Sequence, residues 1–118
     1  MKKNKVFYRE FHLAGRQYHD VDEVWDQLKV GLEVKLMREP DNRYDPDAVA
    51  VILPCGDVSD EEYYTLGYVP RSDNDDIARF LEMGWEEMFE CRISRISPEE
   101  HYENQIHLTL RIKRNKMR

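Results

Sequence analysis

Apolar and polar residues alternate in short bursts along most of the chain, and helical spacing appears in only two places. Phe7, Phe11 and Leu13 share one face of a first strand predicted over residues 7–14, which ends at Gly15, a residue free to turn. Leu32, Val34 and Leu36 alternate with Glu33, Lys35 and Met37, the pattern of a half-buried strand. Residues 48–53 are continuously apolar and predict a more fully buried one. A fourth strand spans 64–69 and stops at Pro70, which cannot donate to a ladder. A fifth covers 88–96, and a sixth covers 105–113, where Ile106, Leu108, Leu110 and Ile112 alternate strictly. Val21, Val24, Trp25 and Leu28 fall at i, i+3, i+4 and i+7 and predict a helix over 21–29. Asp20 is placed as its N-cap, Glu23 takes the capping-box position, and Gly31 lies near its stop. A second helix is predicted over 75–83, with Ser72 or Asn74 as cap and Asp75 and Asp76 at its positive end. Ile77, Phe80 and Leu81 are its expected buried face, and Gly84 stops it. Six strands and two short helices describe a mainly β domain, a small antiparallel barrel or a strongly bent sheet.

Length and composition fit one domain across the whole chain, with its core at about residues 7–113. At 118 residues, 41% of them hydrophobic, the chain can bury a core. No apolar run approaches the ~20 residues of a membrane-spanning helix, and no signal-type stretch follows the basic residues 2–5, so a cytoplasmic protein is expected. Cys55 and Cys91 are too far apart in sequence for a Cys-x-x-Cys motif, and two free thiols suit a reducing compartment. The net charge of −6 excludes a globally basic nucleic-acid binder with a long phosphate footprint. Its distribution leaves room for a local positive groove. Acid gathers at 20–23, 57–62, 73–76 and 86–90, while Arg16, Lys35, Arg38, Arg43 and Arg71 fall elsewhere.

The densest chemistry lies between the second and third strands, in Arg38-Glu39-Pro40-Asp41-Asn42-Arg43-Tyr44-Asp45-Pro46-Asp47. Pro40 and Pro46 push the residues before them toward extended geometry. Asp41, Asn42, Asp45 and Asp47 can each bond nearby amides and fix a turn. Arg38, Arg43 and Tyr44 add cations and a ring to that rigid loop. As a bare connector it would be ordinary turn chemistry, with the tyrosine packed on its own strand.

This segment, continued through Ala48-Val49, resembles the signature of the HIRAN domain, an Arg-Glu-Pro-x-Asn-x-Tyr-Asp-x-x-Ala-Val pattern joining two strands. Gly15-Arg16-Gln17-Tyr18 resembles the family's early Gly-x-x-Tyr, and Gly31 with the strand after it resembles its Gly-x-x-Leu-x-Leu. Leu66-Gly67-Tyr68-Val69-Pro70-Arg71 resembles its Leu-Gly-Tyr-Ile-Pro-Arg block, so the likeness runs from about Phe11 to Leu110. The resemblance implies a modified OB-type barrel, filled by side chains and without a cofactor cavity. It also implies a non-catalytic module for single-stranded DNA, preferring a free 3′ end. Tyr18 and Tyr44 would stack bases, Asp45 would accept a bond from the terminal hydroxyl, Asn42 would hold sugar or base, and Arg71 would sit near phosphate. Gln17 stands where a DNA-binding member of the family carries Arg, which removes one phosphate contact. Tyr68 stands where that member carries His, which adds a ring.

The expected binding set is therefore Arg16, Gln17, Tyr18, Arg38, Asn42, Arg43, Tyr44, Asp45, Tyr68 and Arg71, with no cofactor and no metal. His12, His19, His101 and His107 lack metal-ligand spacing, and His12 and His107 are expected to be exposed. Trp25 reads as core, and Trp85 can be either core or surface. No Gly-rich phosphate loop, nucleophile elbow or HExxH pattern is present, so no enzyme is expected. The expected role is a stand-alone module in DNA repair or processing, beside a helicase or nuclease. The alternative is a protein-interaction module that uses its acidic surface, above all the acidic stretch at 57–62, on a basic partner.

Overall fold

The computed structural model describes residues 8–16, 19–55 and 62–113. Six strands form the framework: β1 (Tyr8–His12), β2 (Glu33–Arg38), β3 (Val49–Pro54), β4 (Tyr63–Tyr68), β5 (Phe89–Ile96) and β6 (Ile106–Ile112). They form one antiparallel sheet in the order β1-β6-β5-β2-β3-β4. Period-two alternation buries Ile106, Leu108 and Leu110 of β6 against Phe89, Cys91 and Ile93 of β5. In β3, Val49 to Leu53 are all buried, as the continuous apolar run predicts.

The sheet curls into a half-barrel consistent with an OB-like fold. Its two outermost strands meet at one point, where Ala14 and Tyr68 exchange backbone bonds of 2.9 and 2.8 Å just beyond β1 and at the end of β4. Gly67 makes this approach feasible. A Cβ there would lie 2.5 Å from the Ala14 carbonyl oxygen and 2.9 Å from the Leu13 side chain.

The expected helix over 21–29 is instead two short 3₁₀ turns, Asp20–Glu23 and Trp25–Gln27. Val21 and Val24 are both fully buried, and a three-residue turn brings i and i+3 to the same side as well as an α-helix does. Nor does Asp20 cap the segment. Its carboxylate accepts the Thr65 amide at 3.1 Å and so covers part of the free edge of β4. The second expected helix exists as α1 (Asp75–Glu82); Ile77 is buried and Leu81 packs against the core as expected, Ala78 is buried with them, and Phe80 is instead largely exposed. Neither Ser72 nor Asn74 caps it through a side chain. Trp25 packs against the core, Trp85 is exposed, and His12 and His107 are half-buried partners across β1 and β6.

Candidate nucleic-acid interface

The loop between β2 and β3 is built on its own side chains. Asn42 Oδ1 accepts the amides of Tyr44 (2.9 Å) and Asp45 (3.0 Å), and Asn42 Nδ2 donates to Glu39 Oε1 (3.1 Å). Asp45 Oδ1 accepts the Asp47 amide at 2.9 Å. Glu39 N–H donates to the Ala48 carbonyl and Ala48 N–H to the Asp45 carbonyl, both at 3.0 Å, which returns the chain to β3. Asx-type bonding of this kind replaces the ladder the loop has left. Tyr44 stands out from this turn, 77% exposed.

The segment after β4 clamps this loop from the other side. Arg71 donates to the Tyr44 carbonyl, and its Nε lies 3.6 Å from Asp45 Oδ2. Asn74, 3% exposed, donates to the same Asp45 oxygen at 2.9 Å. Arg79 of α1 pairs with Asp47. Burial raises the Asp45 pKa, but the Asp47 amide, Asn74 and the Arg71 and Arg38 charges outweigh it and hold the carboxyl below its ordinary value. A carboxylate offers about four lone-pair sites. Two hydrogen bonds and one ion pair are already in place, so room remains for one further donor.

Beside the clamp lies a notch of about 640 Å³, within the size range of small-ligand sites. Ala14, Ala48 and Val69 give it apolar walls, and Tyr44, Asp45, Tyr68 and Arg71 rim it. Tyr68 forms one wall because the Ala14 bridge pins its backbone and its hydroxyl donates to Glu39 Oε1 at 2.8 Å. Burial and Glu39 together push the Tyr68 phenol up to about 12. His19 meets the Tyr68 ring edge-on at 5.2 Å, and Gly15 lines the opening with its amide directed at Glu103 Oε2 (3.4 Å). A second cavity of about 300 Å³ shares Tyr44, Asp45, Arg71 and Asn74, and beyond them is lined by Asp47 and Asp75.

The structure therefore brings Asn42, Tyr44, Asp45, Tyr68 and Arg71 to one notch. Arg43 is exposed on the same loop. Gln17 and Tyr18 lie outside the described residues, between Arg16 and the notch-lining His19. Arg16 is not the open cation that its sequence suggests. It is 4% exposed, with its guanidinium 5.5 Å from the Trp25 ring and 4.9 Å from the Tyr102 ring, and it pairs with Asp22 at 2.9 Å. Arg38 is largely covered too, donating to the Pro46 carbonyl at 2.6 Å and lying 3.8 Å from Glu82, so it braces the loop from behind. Lys35 pairs with Glu33 and lines a different cleft. Asn42 spends its oxygen and one N–H inside the loop, which makes it chiefly a positioning residue. Sequence reading passed over Glu39 and Asn74 as site residues. Glu39 stood inside the motif as a signal, whereas nothing at Asn74 announced a bond to a loop 29 residues away.

Among the described residues no cluster of three or more His, Cys, Asp or Glu is arranged to hold a metal ion, and no helix is long and apolar enough to cross a membrane. A crystal structure of a protein from Lactobacillus plantarum has the same fold, with a TM-score of 0.67 at 22% identity, over 89% of this chain and 92% of that one. No curated protein matches the chain. The family model of the HIRAN domain matches residues 6–113, which include the β2–β3 loop and the notch it rims. The chain therefore belongs to the HIRAN domain family, whose members are generally non-catalytic modules that bind DNA.

Proposed function

We propose that this domain binds single-stranded DNA and takes a free 3′ end into the notch, in repair or processing of DNA beside a helicase or nuclease. The observation that carries this reading is the convergence of an exposed ring, an exposed cation and a pre-ionised carboxylate around one apolar floor. Tyr44 offers a face on which a base can stack, a contact that contributes ~1–3 kcal/mol and tolerates any sequence. Arg71, with its side chain 73% exposed, is held beside that ring and can meet phosphate. Arg43 adds a second exposed cation on the loop.

End preference follows from charge. Asp45 can accept one more hydroxyl, and beyond it the second cavity turns acidic with Asp47 and Asp75. A terminal phosphate, or a strand continuing past Asp45, would replace that hydroxyl donor with negative charge beside a half-buried carboxylate, where repulsion is less screened than in open solvent. The family resemblance gives Tyr18 as a second stacking ring, and in sequence it directly precedes the notch-lining His19. The test is fluorescence anisotropy with short oligonucleotides that end in a 3′-hydroxyl or a 3′-phosphate. The hydroxyl form is expected to bind at least about tenfold more tightly, or ~1.4 kcal/mol. Equal affinities refute end recognition, and no binding at low salt refutes the DNA role.

A further inference from the structure

The C-terminal end of α1 carries an apolar knob. Gly84 (φ +89°) takes the left-handed conformation that ends the helix, with its N–H bonded to the Leu81 carbonyl and the Trp85 N–H bonded to the Phe80 carbonyl, both at 3.0 Å. These two bonds are the Schellman closure, and they fix where Met83 and Trp85 leave the helix. Phe80 and Trp85, the residues joined by the second bond, keep 41% and 58% of their surface exposed, and Met83 between them keeps 75%. Seven large hydrophobic residues stand exposed among the described residues, and three of them fall within residues 80–85. Scattered singles need no explanation, but a cluster marks an interaction surface.

The knob adjoins a cleft of about 300 Å³ whose apolar lining includes Leu36, Met37, Tyr63 and Phe89. Phe80 meets Phe89 edge-on at 6.0 Å, and Trp85 directly precedes the cleft-lining Glu86, so knob and cleft form one surface. The cleft shares no lining residue with the notch. Glu86 and Glu87 border it, and no cation among the described residues pairs with either. Lys35 and Lys113 line it too, but Lys35 is held by Glu33 at 3.9 Å. Two open carboxylates against one open ammonium leave this surface acidic around an apolar centre.

That charge decides among occupants. A second copy docked face to face would set Glu86 and Glu87 against themselves, in a chain that already carries −6. A nucleic-acid strand would meet the same repulsion at its phosphates. A protein segment with a large apolar side chain between lysines or arginines meets neither.

We propose that this surface docks such a segment of a protein partner. Its apolar side chain packs beside Trp85 and into the cleft, and its cations pair with Glu86 and Glu87. An exposed tryptophan held at a fixed point is the kind of residue that dominates binding energy at protein interfaces. The flanking charges set partner choice and speed the encounter. The surface is separate from the notch, so the proposal stands or falls independently of the DNA reading.

The experiment is selection of short random peptides displayed on phage against the full chain, followed by chemical-shift mapping of the ¹⁵N-labelled chain with the enriched peptides. Enriched sequences are expected to carry a large apolar residue flanked by Lys or Arg. The shifts they cause should centre on the Trp85 indole N–H, Met83 and Phe89. Trp85→Ala should weaken binding by about tenfold or more, as loss of an interface anchor does. Glu86→Lys with Glu87→Lys should weaken it by about tenfold and flatten its dependence on salt. All three positions are exposed, so the variants keep the fold. Four results would overturn the proposal: no enriched peptide, equal binding of the enriched peptides to either variant, shifts confined to the Tyr44–Tyr68 notch, or self-association of the chain that Trp85→Ala abolishes.

Discussion

Replacing Gly67 by alanine probes the point where the curled sheet closes and the notch gains its wall. The added methyl would sit 2.5 Å from the Ala14 carbonyl oxygen and 2.9 Å from Leu13 atoms, and the first of these is backbone that cannot swing aside. Leu13 is itself fully buried. Accommodation therefore requires β4 and the Ala14 segment to separate. Forcing a methyl into a packed site costs typically ~1–3 kcal/mol. The two bonds of the Ala14–Tyr68 bridge each contribute about 0.5–1.5 kcal/mol net, and separation weakens both. With both bonds lost the sum is roughly 2–6 kcal/mol, read in urea unfolding at unchanged m-value. Because the bridge sets Ala14 and Tyr68 around the notch, the folded fraction of Gly67→Ala should also bind oligonucleotide more weakly, while Gly84→Ala, far from the bridge, should leave affinity alone. An unchanged urea midpoint for Gly67→Ala would refute the close approach on which this reasoning rests.

Three further outcomes are expected. Asn74→Ala removes a donor from a largely buried carboxylate and should cost about 1–3 kcal/mol of stability, since Asp45 loses a charge-assisted bond; urea denaturation measures it. Asp45 has a depressed folded-state pKa, so its stabilising contribution is complete above the unfolded value of about 4 and fades as the pH falls through the lower folded value. Asp45→Asn should accordingly flatten the acid side of the stability profile and leave the alkaline side in place. Cys91 is buried, with its thiol raised to about 12 by burial and then by Glu33, whereas Cys55 is exposed, so alkylation of the native protein at mild alkaline pH should label Cys55 alone.

The strands were legible because a two-residue period has few rivals: Ile106, Leu108 and Leu110 can only point one way if one face is to be buried. The segment after Gly15 was not, because buried valines at i and i+3 suit a 3₁₀ turn as well as an α-helix, and Asp20 was needed at the β4 edge. The loop from Arg38 to Asp47 announced itself through local chemistry, and its Asn42 turn lies within reach of sequence reasoning. Arg16 misled because sequence shows a charge and not the rings of Trp25 and Tyr102 that enclose it. Asn74 was invisible because its partner Asp45 is distant in sequence and near only after the sheet has curled.

Chemical-shift mapping of the ¹⁵N-labelled chain, titrated with a short single-stranded oligonucleotide bearing a 3′-hydroxyl, tests the proposed DNA-end site most directly. Saturable shifts should concentrate at Gly15, Tyr44, Asp45, Ala48, Tyr68 and Arg71, and should shrink when the oligonucleotide ends in phosphate. Shifts gathered instead at Arg92, Thr109 and Arg111 on the outer face of β5 and β6, with the notch silent, would contradict it.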